Sequence, residues 1–181
     1  MRSASDNEKW DFLRDIPQTD RWHPLIMRLA ANLQSAAERN PHRYAFLAHA
    51  VARDWIHQVG DTERTGGEDI AGFTRSPTLD DAIDALERGT DDCDAKSRLF
   101  VALCLAAGIP AQIVPYWKRS DGSVHHEMRG APGDVLFHVA ARCYVGGKWL
   151  PVELTLARAR LGEPGELVPF ENGVKHFWLK T

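Results

Sequence analysis

The spacing of apolar residues changes once along this chain, from three and four to two, and the change separates a helical half from a stranded one. Residues 1–20 precede any sustained pattern; polar and broken at Pro17 and Asp20, they read as an irregular N-terminal arm. Leu25, Ile26, Leu29, Ala30 and Leu33 then recur at helical spacing, which predicts an amphipathic helix running to about Glu38 and ended by Asn40-Pro41. Tyr44, Leu47, Ala48, Val51, Trp55 and Ile56 make a second stripe closing near Gly60, so the two helices should form a hairpin with Trp55 packed in its core. Asp61 to Pro77, rich in Gly, Thr and charge, reads as a long loop of the kind that often carries function. Leu79 to Leu86 predicts a short helix with Asp80 and Asp81 in its first turn and Gly89 past its end. From Asp92 to Ala107, Leu99, Phe100, Leu103 and Cys104 share one face, and Gly108 and Pro110 mark the stop; this is the expected central helix.

Beyond Pro110 the period is two. Ala111 to Trp117 predicts a strand, Lys118 to Asp134 a polar connection, and Val135–Val145 and Lys148–Leu154 two strands joined by the hairpin signal Gly146-Gly147. Helices first and strands second imply an α+β class with an antiparallel sheet, with residues 21–181 as one domain. The turn also fixes a register: Val145 opposite Lys148, Tyr144 opposite Trp149, Arg142 opposite Pro151, Ala140 opposite Glu153 and His138 opposite Thr155. His138 and Glu153 thereby become diagonal neighbours, about 7–8 Å apart at the backbone, with the small Ala140 between them. Val135, Phe137, Val139, Ala141 and Cys143 fall on the opposite, core-facing side.

At 181 residues, 44% hydrophobic and 26% charged, the chain can bury a single good core. Its 22 Lys plus Arg against 25 Asp plus Glu are interspersed, which argues against a nucleic-acid partner, because a phosphate-backbone binder concentrates cations. No run approaches the ~18 apolar residues of a membrane helix, and the first fifteen residues lack the apolar segment of a secretory signal. A cytoplasmic, reducing location without membrane contact is therefore expected, and the three cysteines are expected as thiols.

Cys104 and Cys143 lie on apolar faces and read as structural. Cys93 instead opens a helix, where the macrodipole favours a thiolate, so it is the candidate nucleophile. His138 is the candidate base, and Glu153 the carboxylate that would orient the imidazole. Taken alone, the same residues also suit a tight turn and the solvent face of a hairpin. His125-His126-Glu127 are adjacent and cannot easily converge on one ion, while His49 and His57 stand about 12 Å apart along a helix. Solvated or capping roles are expected for these, with no metal and no cofactor.

The run Arg88-Gly89-Thr90-Asp91-Asp92-Cys93-Asp94-Ala95-Lys96, with Leu99 to Leu103 and Ala107-Gly108-Ile109-Pro110-Ala111 after it, closely resembles the nucleophile helix of transglutaminase-like cysteine enzymes, a papain-related group. His138 to Tyr144 and Gly147 to Glu153 resemble that family's histidine strand, turn and acid strand in the same order. Leu25 to Val59 resembles the two helices before the nucleophile in transglutaminase-like proteins of bacteriophages and prophages. The sequence departs from the family in three places: Asp91 replaces a usual Gly, Val139 to Arg142 lacks the aromatic and acidic residues often found after the His, and the acid is Glu153 rather than Asp. The resemblance implies a transglutaminase-like fold in which a helical hairpin and the nucleophile helix pack on an antiparallel sheet. It also implies acyl transfer on amide bonds of a protein or peptide substrate through a Cys93, His138 and Glu153 triad and a thioester. The rival reading is a non-catalytic assembly protein of a phage-like particle, virion-associated and partnered by phage structural proteins.

Overall fold

The computed structural model describes residues 6–58, 82–163, 166–169 and 175–178. Four helices come first: α1 (Asp6–Asp15), α2 (Pro17–Asp20), α3 (Pro24–Ala36) and α4 (Pro41–Asp54). His23 and Asn40 cap α3 and α4 through their side chains, each followed by a proline at the first helical position, where the missing N–H costs no hydrogen bond. The expected hairpin is therefore present; α3 ends at Ala36 with Ala37 as its C-cap, ahead of Asn40-Pro41, which opens α4. A two-residue strand, β1 (His57–Gln58), pairs in parallel with β2 (Thr90–Asp91), which follows α5 (Ala82–Arg88). The predicted loop 61–77, Gly60 and residues 79–81 lie outside the described residues.

At the centre runs α6 (Cys93–Ala106), buried from Ala95 to Cys104 and packed on by α2, α3, α4 and α5. Its other side lies on the sheet of β3 (Ala111–Lys118), β4 (Val124–His125), β5 (Val135–Val145) and β6 (Lys148–Val152), antiparallel in the order β4-β3-β5-β6. A separate antiparallel pair, β7 (Glu166–Pro169) and β8 (Lys175–Trp178), follows. The β5–β6 ladder has the register read from the Gly146-Gly147 turn, down to Arg142 opposite Pro151 and Ala141 opposite Val152. Both turn glycines have positive φ, 63° and 80°, which matches the twist of the flanking strands and would strain any other residue.

Three expectations are corrected. Residues 6–20 are no irregular arm but helical, and Trp10 and Leu13 are buried in the core. The apolar residues of this polar stretch show no sustained period, yet Trp10 and Leu13 suffice to anchor a short helix against the sheet. Trp55 is not core: it caps the C-terminus of α4 and is 59% exposed, because the helix ends one residue before it and the stripe no longer applies. Val135 and Phe137 do not continue the buried face of Val139, Ala141 and Cys143. A bulge shifts the β3–β5 register between Tyr116 (opposite His138) and Trp117 (opposite Leu136), leaving Phe137 without a counterpart. One extra residue inverts the parity of the strand before it, so Leu136 packs on the core and Val135 is exposed. The polar connection 118–134 also contains the short strand β4.

Candidate active site

Cys93 is the first residue of α6, as the capping pattern requires: Asp92 is the N-cap, its carboxylate accepting from the Asp94 N–H at 3.3 Å. The thiol is half-buried, whereas Cys104 and Cys143 are fully buried in the core on α6 and β5. Burial pushes the Cys104 thiol well up, which suits packing and not attack. Asp92, Cys93 and Asp94 bring potential ligand atoms within 4.8 Å of one another, but they are consecutive residues of a helix cap, with Asp92 already engaged by the backbone. His125, the first residue of the His-His-Glu run, is bonded to Asp134 through Nε2 at 2.8 Å.

His138 and Glu153 meet. His138 Nε2 lies 3.1 Å from Glu153 Oε2, and the two residues are only 7% and 2% exposed, so the diagonal pair is interior instead of solvent-facing. The carboxylate is held from several sides. Oε1 accepts the N–H of Leu154 at 2.9 Å, the N–H of Thr155 at 2.8 Å and the Thr155 hydroxyl at 2.6 Å, leaving Oε2 to the imidazole. Burial acts to raise the Glu153 pKa, but the hydrogen bonds and charge of His138, with the Thr155 bonds, outweigh it and keep the carboxyl below its ordinary range.

Hydrogen bonds tie the start of α6 to both partners. Ser97, one turn after Cys93, donates its hydroxyl to the Val139 carbonyl at 3.2 Å, next to His138. Lys96, three residues after Cys93 and 2% exposed, donates to the Leu154 carbonyl at 3.1 Å, next to Glu153, and to the Arg53 carbonyl at 3.0 Å at the end of α4. Three or four residues of helix rise by about 5–6 Å, so these bonds bring the Cys93 end of the helix to the His138 and Glu153 end of the sheet. Tyr116, directly across from His138 on β3, turns its ring to the imidazole with centroids 5.9 Å apart, and its ring also lies 6.0 Å from that of His126. Burial, and then the charge of Glu153, raise the Tyr116 pKa, so the phenol stays protonated.

Two residues of this site escaped sequence reasoning. His49, expected to be solvated or capping, is 1% exposed, and its Nε2 lies 3.0 Å from the Glu153 carbonyl. Burial lowers its pKa, so the ring is neutral with the proton on the nitrogen facing that carbonyl. Lys96 drew no attention as part of a charged motif. The available signal for both was a polar residue within an otherwise apolar stripe.

Comparison with known proteins bears on this arrangement. Residues 67–154 match the model of the transglutaminase-like superfamily, a range that includes Cys93, His138 and Glu153. The structure is similar to that of a "putative protease" from Parabacteroides distasonis, with a TM-score of 0.56 and 11% identity over 86% of this chain and 28% of that one. It also aligns with a "putative cysteine protease" from Cytophaga hutchinsonii at a TM-score of 0.41 and 17% identity, over 81% of this chain and 41% of that one. The chain thus spans less than half the length of either. A search among curated proteins finds no match. The fold is transglutaminase-like, α+β in class. Among the described residues no helix is long and apolar enough to cross a membrane.

Proposed function

We propose that the chain is a cysteine enzyme that transfers acyl groups from amide bonds of a protein or peptide, with Cys93 as nucleophile, His138 as base and Glu153 as orienting acid. The observation that carries this reading is the buried bond between His138 Nε2 and Glu153 Oε2, formed at the end of the sheet to which the Cys93 turn of α6 is tied. Engagement of Nε2 by the acid assigns Nδ1 the task of taking the thiol proton. Cys93 Sγ then attacks the amide carbonyl carbon, and negative charge develops on the carbonyl oxygen beside the Cys93 N–H at the helix start. Collapse breaks the C–N bond as His138 returns the proton to the departing amine, leaving a thioester on Cys93. A second acceptor attacks with His138 again removing a proton, the C–S bond breaks, and the thiol is restored. Water as acceptor makes the reaction hydrolysis; an amine makes it transamidation. Glu153 stabilises the imidazolium throughout without taking the proton.

The test is a peptide-library and activity-probe screen, with mass spectrometry of the acyl adduct and a labelled primary amine present as an alternative acceptor. An adduct on Cys93 that disappears in Cys93→Ala is the expected result. Uniformly slow reaction of Cys93, Cys104 and Cys143 in the native protein, with no adduct, would overturn the reading and favour a non-catalytic assembly role.

A further inference from the structure

Two consecutive peptide units after Glu153 are wired in the same way. In the first, the Glu153 carbonyl accepts from His49 Nε2 at 3.0 Å, while the Leu154 N–H donates to Glu153 Oε1 at 2.9 Å. In the second, the Leu154 carbonyl accepts from Lys96 Nζ at 3.1 Å, while the Thr155 N–H donates to the same Oε1 at 2.8 Å. A trans peptide is planar, with its C=O and N–H pointing in opposite directions. Whatever holds the carbonyl on one side therefore aims the N–H on the other. His49 comes from α4 and Lys96 from α6, and both are almost completely buried.

We propose that His49 and Lys96 are a matched pair of positioning residues that aim these two peptide N–H groups at one carboxylate oxygen of Glu153, so that the other is presented to His138. The inference rests on the proposed triad but concerns the geometry behind it. Burying an ammonium carries a desolvation penalty that an apolar side chain of similar length would avoid, so a buried lysine calls for a specific use of its donors. Charge is not what that use requires. The groups acting on Lys96 are Asp54 and Arg53 from α4, Glu153 beyond β6 and Asp91 from β2; burial prevails over the carboxylates and brings its pKa down to about 8. A neutral amine retains two N–H donors, matching the two carbonyls it meets, and neutral His49 retains the one it needs. The pair works as fixed donors in either state of Lys96, whose ammonium persists below about 8 and whose neutral amine still meets both carbonyls above it.

The test is an NMR titration of the His138 ring, its resonance assigned by its loss in His138→Gln. Thermal melting accompanies each variant. Removing the donors by His49→Phe, which changes no charge, or by Lys96→Met should move the His138 midpoint in the same direction as Glu153→Gln does, because the carboxylate no longer faces the ring squarely. In a Glu153→Gln background the same changes should add almost nothing, since they act through that carboxylate. Lys96→Gln and His49→Gln, which keep a donor at the carbonyl and tolerate burial, should give intermediate midpoints, and they serve where the apolar variants do not fold. Folded variants with an unshifted midpoint would overturn the inference, as would shifts that persist undiminished without Glu153. Alkylation of Cys93 by iodoacetamide separates the two claims: an inert wild-type Cys93 with a shifted His138 midpoint in Lys96→Met sinks the enzyme reading and leaves this one standing.

Discussion

The two halves of α6 are equally buried and chemically opposite. From Leu99 to Cys104 the helix is apolar all round, as befits one enclosed by other elements. From Ala95 to Arg98 burial is as deep, yet polar groups sit inside: Lys96 reaches two carbonyls, Ser97 a third, and Arg98 forks onto Asp20 at 2.6 and 3.2 Å, with Asp92 capping the helix just before them. The distal half is held by contacts that many apolar residues could supply. The proximal half is held by bonds that each demand one partner in one place. Burial by itself therefore does not tell a site from a core; the density of satisfied polar groups does.

Substitutions in the two halves should separate activity from stability. Cys93→Ala should abolish acyl-enzyme formation, a loss of about 10³-fold or more, and leave the melting curve unchanged, because a half-buried helix-start thiol contributes little packing. Glu153→Gln should lower the maximal rate by about 10²-fold. Loss of the carboxylate charge destabilises imidazolium, so the alkaline limb of the rate profile should move to lower pH; an unchanged profile at full rate would remove Glu153 from the triad. A stability signature accompanies it. With its folded pKa depressed, Glu153 stabilises the fold above the ordinary carboxylate range, and that contribution is lost as pH falls through the folded value. Denaturant titrations in acid should therefore show a steeper decline for wild type than for Glu153→Gln.

Asp20→Ala removes the carboxylate onto which the buried Arg98 forks and should cost up to about 3–5 kcal/mol in denaturant unfolding, the range for breaking a buried ion pair. Cys104→Ala, in the apolar half, should cost about 1–2 kcal/mol, less than a Leu truncation, with turnover retained. Equal activity loss in Cys93→Ala and Cys104→Ala would erase the contrast between the halves. An effect confined to alkali is expected at Lys96. The unfolded chain holds this proton to about 10.5 and the folded one only to about 8, so between those values raising the pH relieves the burial penalty. Wild type should gain stability relative to Lys96→Met across that window.

Legibility in the sequence followed the range of the interaction. The His138–Glu153 pair was readable because a Gly-Gly turn fixes a register within fifteen residues, and the motif around Cys93 because a helix start is local. What escaped depends on elements distant in sequence. His49 lies 104 residues from Glu153, and Lys96 58 from Leu154; no periodicity says where a polar residue in an apolar stripe will find its acceptor. The bulge at Phe137 is a different failure. Strict alternation was assumed through a strand that breaks it one residue before the histidine, the place where a break re-aims a side chain. Trp10 and Leu13 show that two anchors can order a stretch too polar to display a pattern.

The Asp20–Arg98 pair also bears on the order of folding. Its members are 78 residues apart, so closing it confines a long stretch of chain before the reward is felt. The local hairpins, α3 with α4 and β5 with β6, have no such delay and are the natural early structures. In a φ-value experiment Asp20→Asn should speed unfolding and leave refolding nearly untouched, marking the docking of α1 and α2 as a late step. Until it is complete, Arg98 lacks the Asp20 carboxylate onto which it forks, and the central helix is not yet covered by α2. Closure of the interior and arrival of the N-terminal helices are then one event.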